Sequence, residues 1–158
     1  MSPLLRNVAL TFLVTLAMYE GFLRVAAPQV DQGQDQFATN TIRLENYVDH
    51  PEMRGTVLVG SSLSARIPDA ALPRGWTNLS LAGGSALTGL EIVANAARAP
   101  KVVLVEINFL DRTSDRKAVS RATGWPDTTL RRLFWFYRTA YRPMNLLVSS
   151  VARWVKAH

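Results

Sequence analysis

Val57-Leu58-Val59-Gly60-Ser61-Ser62-Leu63 is an apolar, β-branched run that stops at a glycine and two serines. It predicts a short buried strand whose following turn carries hydroxyls to the carboxyl end of a parallel sheet, where open α/β folds place their sites. Ser62 is therefore a candidate nucleophile. Further along, residues 77–81 predict a second strand and residues 102–108 a third. Between them, residues 87–97 predict a helix whose Leu87, Leu90, Ile92, Val93 and Ala97 cover the sheet. Alternation of strand and helix predicts an α/β fold with a short parallel sheet and flanking helices.

Composition sets the outer limits. The chain has 158 residues, 48% hydrophobic and 19% charged, which suits one folded domain rather than a disordered polymer. Cysteine is absent and only His50 and His158 are present, so disulfides, thiolate centres and histidine-built metal sites are not expected, nor is a cofactor. No lysine follows the glycines in the spacing of a phosphate-binding loop. The net charge of +6 and an isoelectric point near 10.3 suit a polyanion, whether nucleic acid or an anionic membrane surface.

Position along the chain favours the membrane. Residues 8–19 are apolar throughout, and hydrophobic character resumes after Glu20 with Gly21-Phe22-Leu23. A helix over residues 3–27 is long enough to cross a hydrocarbon core of roughly 30 Å at about 1.5 Å per residue. Pro28 follows Ala26-Ala27 and argues against signal-peptide cleavage there. Glu20 inside the run favours a buried core helix instead, because a carboxylate in hydrocarbon costs a few kcal/mol, but that cost falls near an interface. Arg6 before the span, against Asp31 and Asp35 with no basic residue in 29–36, places the remainder outside the cytoplasm. An external location also argues against nucleic-acid binding.

The expected organisation is a transmembrane anchor over 1–28, a linker and short helix over 29–54, an α/β core over 55–125 and amphipathic helices over 126–158. Thr39-Asn40 is expected to cap the short helix, with Ile42, Leu44 and Tyr47 as its apolar positions. Residues 112–124 are polar and predict a loop. Pro126-Asp127 predicts a helix start, and Leu130, Leu133, Phe134, Tyr137 and Tyr141 continue it at helical spacing until Pro143. A second helix is expected over 144–156, presenting Leu147, Val148, Val151 and Trp154 to a packing partner. Two readings of this aromatic and basic tail stay open: core-covering helices with solvated arginines, or a surface that settles at anionic headgroups.

Three blocks fall at three strand ends: Gly60-Ser61-Ser62-Leu63, Asn78-Leu79-Ser80-Leu81-Ala82-Gly83-Gly84-Ser85 and Val105-Glu106-Ile107-Asn108. Adjacent parallel strands converge at their carboxyl ends, so Ser62, Gly83 and Asn108 are expected to share one crevice. Acyl transfer needs a nucleophile and fixed donors for the developing oxyanion. The N–H groups of Ser62 and Gly83 and the side-chain amide of Asn108 are the candidate donors, with Ser61 and Asn78 in support. Taken singly, each block also reads as ordinary turn and cap chemistry.

Together the three blocks resemble the SGNH (GDSL-like) hydrolases over residues 55–111. By that resemblance Ser62 matches the nucleophile, Gly83 and Asn108 match the oxyanion donors, and Ser61 replaces the usual aspartate. The implied fold is a truncated form of the family's flavodoxin-like three-layer sandwich. Gly-Ser-Ser behind one amino-terminal span is most similar to the membrane-anchored branch acting on cell-envelope polymers, such as the D-alanyl transfer protein of teichoic acid modification and the exopolysaccharide O-acetylation proteins. The implied setting is the outer side of a bacterial cytoplasmic membrane, with a polysaccharide substrate and a multi-spanning O-acyltransferase as partner. The chain departs from the family in having Glu106 where glycine is usual and in lacking the Asp-x-x-His block that supplies the base, which is therefore unknown. His50 precedes the first strand and reads as a surface loop histidine. Two expectations follow: a serine esterase or O-acyltransferase that is a piece of a longer protein, or a catalytically inactive accessory subunit that docks to a membrane partner.

Overall fold

The computed structural model describes residues 2–30, 33–50, 55–108 and 112–157. Asp31 and His158, named above, and residue 111, where the resemblance ends, lie outside these described residues. Helix α1 (Pro3–Ala26) is followed by α2 (Gln36–Asp49), strand β1 (Thr56–Val59), strand β2 (Trp76–Asn78), α3 (Ala86–Asn95) and strand β3 (Val102–Val105). Helices α4 (Arg116–Thr123), α5 (Trp125–Leu133) and α6 (Pro143–Ala157) complete the order, with short 3-10 turns between them. The fold is α/β with a three-stranded sheet in the order β2-β1-β3, and β1 is parallel to both neighbours.

The alternation of β1 decides the layers. Val57 and Val59 are fully buried while Thr56 and Leu58 are half-buried, as a strand with one covered face requires. Leu44, Tyr47 and Val48 of α2, Ile92 of α3, and Val119 and Ala122 of α4 close over Val57 and Val59, with Leu79 and Leu81 from the β2 block. Gly89 lets α3 approach closely, since a Cβ there would stand 3.0 Å from Val59. On the opposite face, Leu104 aligns with Leu58 and is partly open to solvent.

Several local expectations are corrected. Asp35, not Thr39-Asn40, caps α2: its carboxylate accepts from the N–H of Ala38 at 2.7 Å and satisfies an orphan first-turn donor. Thr39 instead turns its hydroxyl back to the Asp35 carbonyl, and Asn40 reaches across to Ala82. The helix is 14 residues long and enters the core. Residues 116–123, expected as loop, form α4 because Asp115 accepts from the N–H groups of Lys117 and Ala118, and Val119 and Ala122 suffice to dock it.

The helix expected to run on to Pro143 stops at Leu133. The N–H groups of Trp135 and Phe136 each donate to the Glu20 carboxylate at 3.0 Å, and the chain continues as 3-10 turns Trp135–Tyr137 and Thr139–Tyr141. Pro143 opens α6 rather than ending the preceding helix, as a first-turn proline can. Arg131, expected in solvent, is buried. Its Nε stands 3.0 Å from Asp49 Oδ2, and its terminal nitrogens donate to the carbonyls of Arg121 and Ala122 at 3.0 and 2.6 Å. Nearby, Thr139 donates through its N–H and hydroxyl to Glu45, each at 2.8 Å. Burial pushes the Glu45 carboxyl up from its ordinary value, against the opposing pull of those bonds.

Helix α1 is long and apolar enough to cross a membrane, with 24 residues and an 18-residue stretch of mean hydropathy 1.5. By length and composition alone, such a helix fits either an anchor or a secretion signal. Its last turns are attached to the domain: Leu23 is buried, Arg24 donates to the Leu133 carbonyl at 2.6 Å, and the Tyr19 hydroxyl donates to the Tyr141 carbonyl.

Candidate functional site

The sheet brings the three sequence blocks to one edge. After β1, the Gly60 carbonyl accepts from the N–H of Leu81 at 3.1 Å, so the second block runs alongside the turn of the first. On the other side, the N–H of Glu106 donates to the Val59 carbonyl at 2.9 Å and places the third block beside the same turn. The carboxyl ends of all three strands therefore meet around residues 60–64.

Glu106 organises that turn. Its Oε1 accepts from the Ser61 hydroxyl. Its Oε2 accepts from the N–H groups of Ser61 at 3.0 Å and Ser64 at 3.1 Å, and from the Ser64 hydroxyl. Partial burial of the carboxyl opposes ionisation, but the hydroxyl donors of Ser61 and Ser64 and then their N–H groups outweigh it and hold the pKa down at about 2. Gly60 is required beneath it, because a Cβ would stand 2.6 Å from Glu106 Oε2 and 2.8 Å from Ser64 Oγ. The sequence marks Glu106 only as a departure from a family pattern. Its role depends on four donors that come together only when β1 and β3 pair.

The predicted residues divide into two groups. Ser61 is buried and bonded to Glu106, and Asn78 is buried with its amide donating to the carbonyls of Ser64 at 2.8 Å and Ile67 at 3.0 Å. Asn78 Oδ1 accepts from the N–H of Ser80 at 3.0 Å. Both residues hold the turn, and every side-chain donor they have is committed to it. By contrast, among the described residues neither the hydroxyl nor the N–H of Ser62, nor the Gly83 N–H, nor the Asn108 side chain forms a hydrogen bond. Ser62 is half-buried, and Gly83 and Asn108 are exposed.

Gly83 adopts φ +69°, a left-handed conformation that favours glycine. Its loop is clamped from α2, where Gln36 and Asn40 both donate to the Ala82 carbonyl, at 2.6 and 2.8 Å, and Asn40 Oδ1 accepts the Ala82 N–H at 3.1 Å. Sequence reading gave Gln36 no role and took Asn40 only as part of a helix cap. They fix the loop from an element outside the three blocks.

His50 is the half-buried C-cap of α2. It follows the last turn of α2 and lines a cavity of about 580 Å³ with Arg43, Asn46, Asp69 and Tyr141. Gln36, at the other end of α2, touches Ala82, so a helix about 20 Å long at about 1.5 Å per residue separates His50 from the Gly83 loop. Among the described residues no group of three His, Asp or Glu side chains is arranged to hold a metal ion. The chain matches no protein-family model, no curated protein and no solved structure.

Proposed function

We propose that the chain is a membrane-anchored, SGNH-like serine esterase or O-acyltransferase module acting on a cell-envelope or exopolysaccharide ester outside a bacterial cytoplasmic membrane. One observation carries this reading. At an edge where Ser61, Ser64, Asn78 and Glu106 are all engaged in holding the turn, the Ser62 hydroxyl and three candidate oxyanion donors are left uncommitted.

In the proposed reaction, Ser62 Oγ adds to the ester carbonyl as its proton passes to a base. The N–H groups of Ser62 and Gly83 and the Asn108 amide receive the oxyanion. Collapse of the adduct expels the alcohol, which takes up the proton, and leaves an acyl group on Ser62. Water or a sugar hydroxyl then takes that acyl group and restores the serine. Glu106 is a poor base: four donors fill its carboxylate, and a pKa near 2 leaves it little affinity for a proton. His50 stands at the far end of α2.

The anchor reading of α1 is supported by its attachment. Cleavage after Ala27 would remove Leu23 from its buried position and strip the Trp135 and Phe136 N–H groups of their acceptor. Labelling of the full chain in membranes with a fluorophosphonate tests the chemistry, with Ser62→Ala as control. Labelling that disappears in Ser62→Ala supports the enzyme. Labelling that persists in Ser62→Ala removes Ser62 from the reaction.

The second reading is a catalytically inactive accessory subunit docked to a membrane partner such as a multi-spanning O-acyltransferase. It is favoured by the absence of a good base among Glu106 and His50, and complete lack of labelling in the wild-type chain is its expected result.

A further inference from the structure

Helix α6 is amphipathic in the wrong sense for a water-soluble surface. Met144, Leu147, Val151, Trp154 and Val155 fall on one face at intervals of three, seven, ten and eleven residues from the first, and each is more than half exposed. On the side turned toward the protein only Leu146 packs against the apolar cluster of Val30, Ile42 and Ala140, and the fully buried positions are polar. Asn145 and Ser149 are buried, and Asn145 accepts from the N–H of Gln34 at 2.8 Å and donates to the Thr139 carbonyl at 2.6 Å. An ordinary surface helix buries its apolar stripe and hydrates its polar one.

We propose that this outward stripe is covered by the bilayer surface, with α6 lying in the headgroup layer of an anionic membrane on the side where α1 emerges. The proposal rests on reading α1 as a retained anchor, and continuity with α1 identifies lipid as the occupant. Helix α6 begins two residues after Tyr141, whose carbonyl is bonded to the Tyr19 hydroxyl. Tyr19 lies seven residues before the end of α1, about 10 Å along its axis, so α6 starts at the depth of that helix's last turns. Charge agrees: Arg132 and Arg142, on either side of this junction in sequence, and Arg153 further along α6 are exposed, in a chain of net charge +6. An apolar stripe with Trp, flanked by cations, is the composition that binds at the interface of anionic lipid. The domain would then be held to the membrane at two places and could not swivel about a single span.

Because the chain has no cysteine, single-cysteine spin labels test this in the full protein. Leu147→Cys and Val151→Cys report the stripe, Ser150→Cys an exposed position beside it, and Phe12→Cys the middle of α1. The protein is reconstituted in phosphatidylcholine vesicles containing phosphatidylglycerol. Collision of each label with oxygen and with a water-soluble nickel chelate is then measured. The expected result is an oxygen-to-nickel ratio at both stripe positions severalfold above that at Ser150→Cys, and lower in phosphatidylcholine alone.

Stripe labels as accessible to nickel as Ser150→Cys, with Phe12→Cys still reading hydrocarbon, would overturn the inference and leave the anchor intact. Stripe labels shielded from both reagents would overturn it in favour of a second copy of the chain. A Phe12→Cys label reading water would remove the anchor and this inference together. An unchanged ratio in phosphatidylcholine alone would overturn the requirement for anionic lipid.

Discussion

Replacing Glu106 by glutamine removes the charge at the centre of the 60–64 turn while keeping size and one acceptor. The carboxyl is held at about 2 against an ordinary 4.5. At about 1.36 kcal/mol per unit this sets a ceiling of roughly 3 kcal/mol, which contact with water reduces to about 1–2 kcal/mol. Glutamine can leave its oxygen toward the Ser61 and Ser64 N–H groups, but its amide nitrogen then meets the Ser61 hydroxyl and forces that hydroxyl to become an acceptor. The expected loss at neutral pH is about 1–2 kcal/mol, a fall in midpoint of roughly 2–8 °C.

The pH dependence has a definite sign. A depressed carboxyl contributes stability that is complete above 4.5 and is lost as pH falls through about 2. Glu106→Gln should therefore lack that part of the acid limb. Unfolding of the full chain in detergent micelles, followed by circular dichroism from neutral pH down through this window, reads both effects. A variant with the wild-type midpoint and the wild-type acid limb would refute the view that Glu106 holds the turn.

Gly60→Ala should destabilise by about 1–3 kcal/mol by pushing a methyl group into Glu106 and Ser64, and a double-mutant cycle with Glu106→Gln should be non-additive because both changes strike one network. Arg131→Leu should cost about 3–5 kcal/mol by leaving Asp49 buried without its partner; denaturant titration reads it, and Arg131→Leu with Asp49→Leu should recover much of the loss. Glu20→Ala should raise the hydrogen-exchange rates of the Trp135 and Phe136 amides, measured by mass spectrometry, while those of α3 stay at wild-type values. Asp35→Ala should cost about 0.5–2 kcal/mol in chemical unfolding, the usual loss on removing a helix N-cap.

What could be read in the sequence was local. The β-branched run at 57–59 and the apolar run at 102–105 each form a strand because their own side chains suit a sheet, and their parallel pairing follows from strand and helix alternation. Pro126 likewise marks the first turn of α5. What could not be read depends on distant partners. The break after Leu133 is set by Glu20, 115 and 116 residues from the amides it accepts, against a local spacing that favours continued helix. Arg131 looks solvated until Asp49 and the carbonyls at the end of α4 surround it.

At the candidate site, the placement of Ser62, Gly83 and Asn108 at strand ends was legible, whereas the arrangement that steadies them was not. Glu106 acts on donors 42 and 45 residues away, and Gln36 and Asn40 reach Ala82 from a helix that precedes the first strand.

The contact between Glu20 and the Trp135 and Phe136 amides also imposes an order on biogenesis. Helix α1 is synthesised before the domain and leaves its carboxylate waiting at the domain boundary while more than a hundred residues follow. The segment that satisfies it arrives only after those residues have been made, so the domain closes onto a helix that already has its place. A polypeptide released from that helix would have to finish folding with two backbone donors and the Leu23 position unfilled.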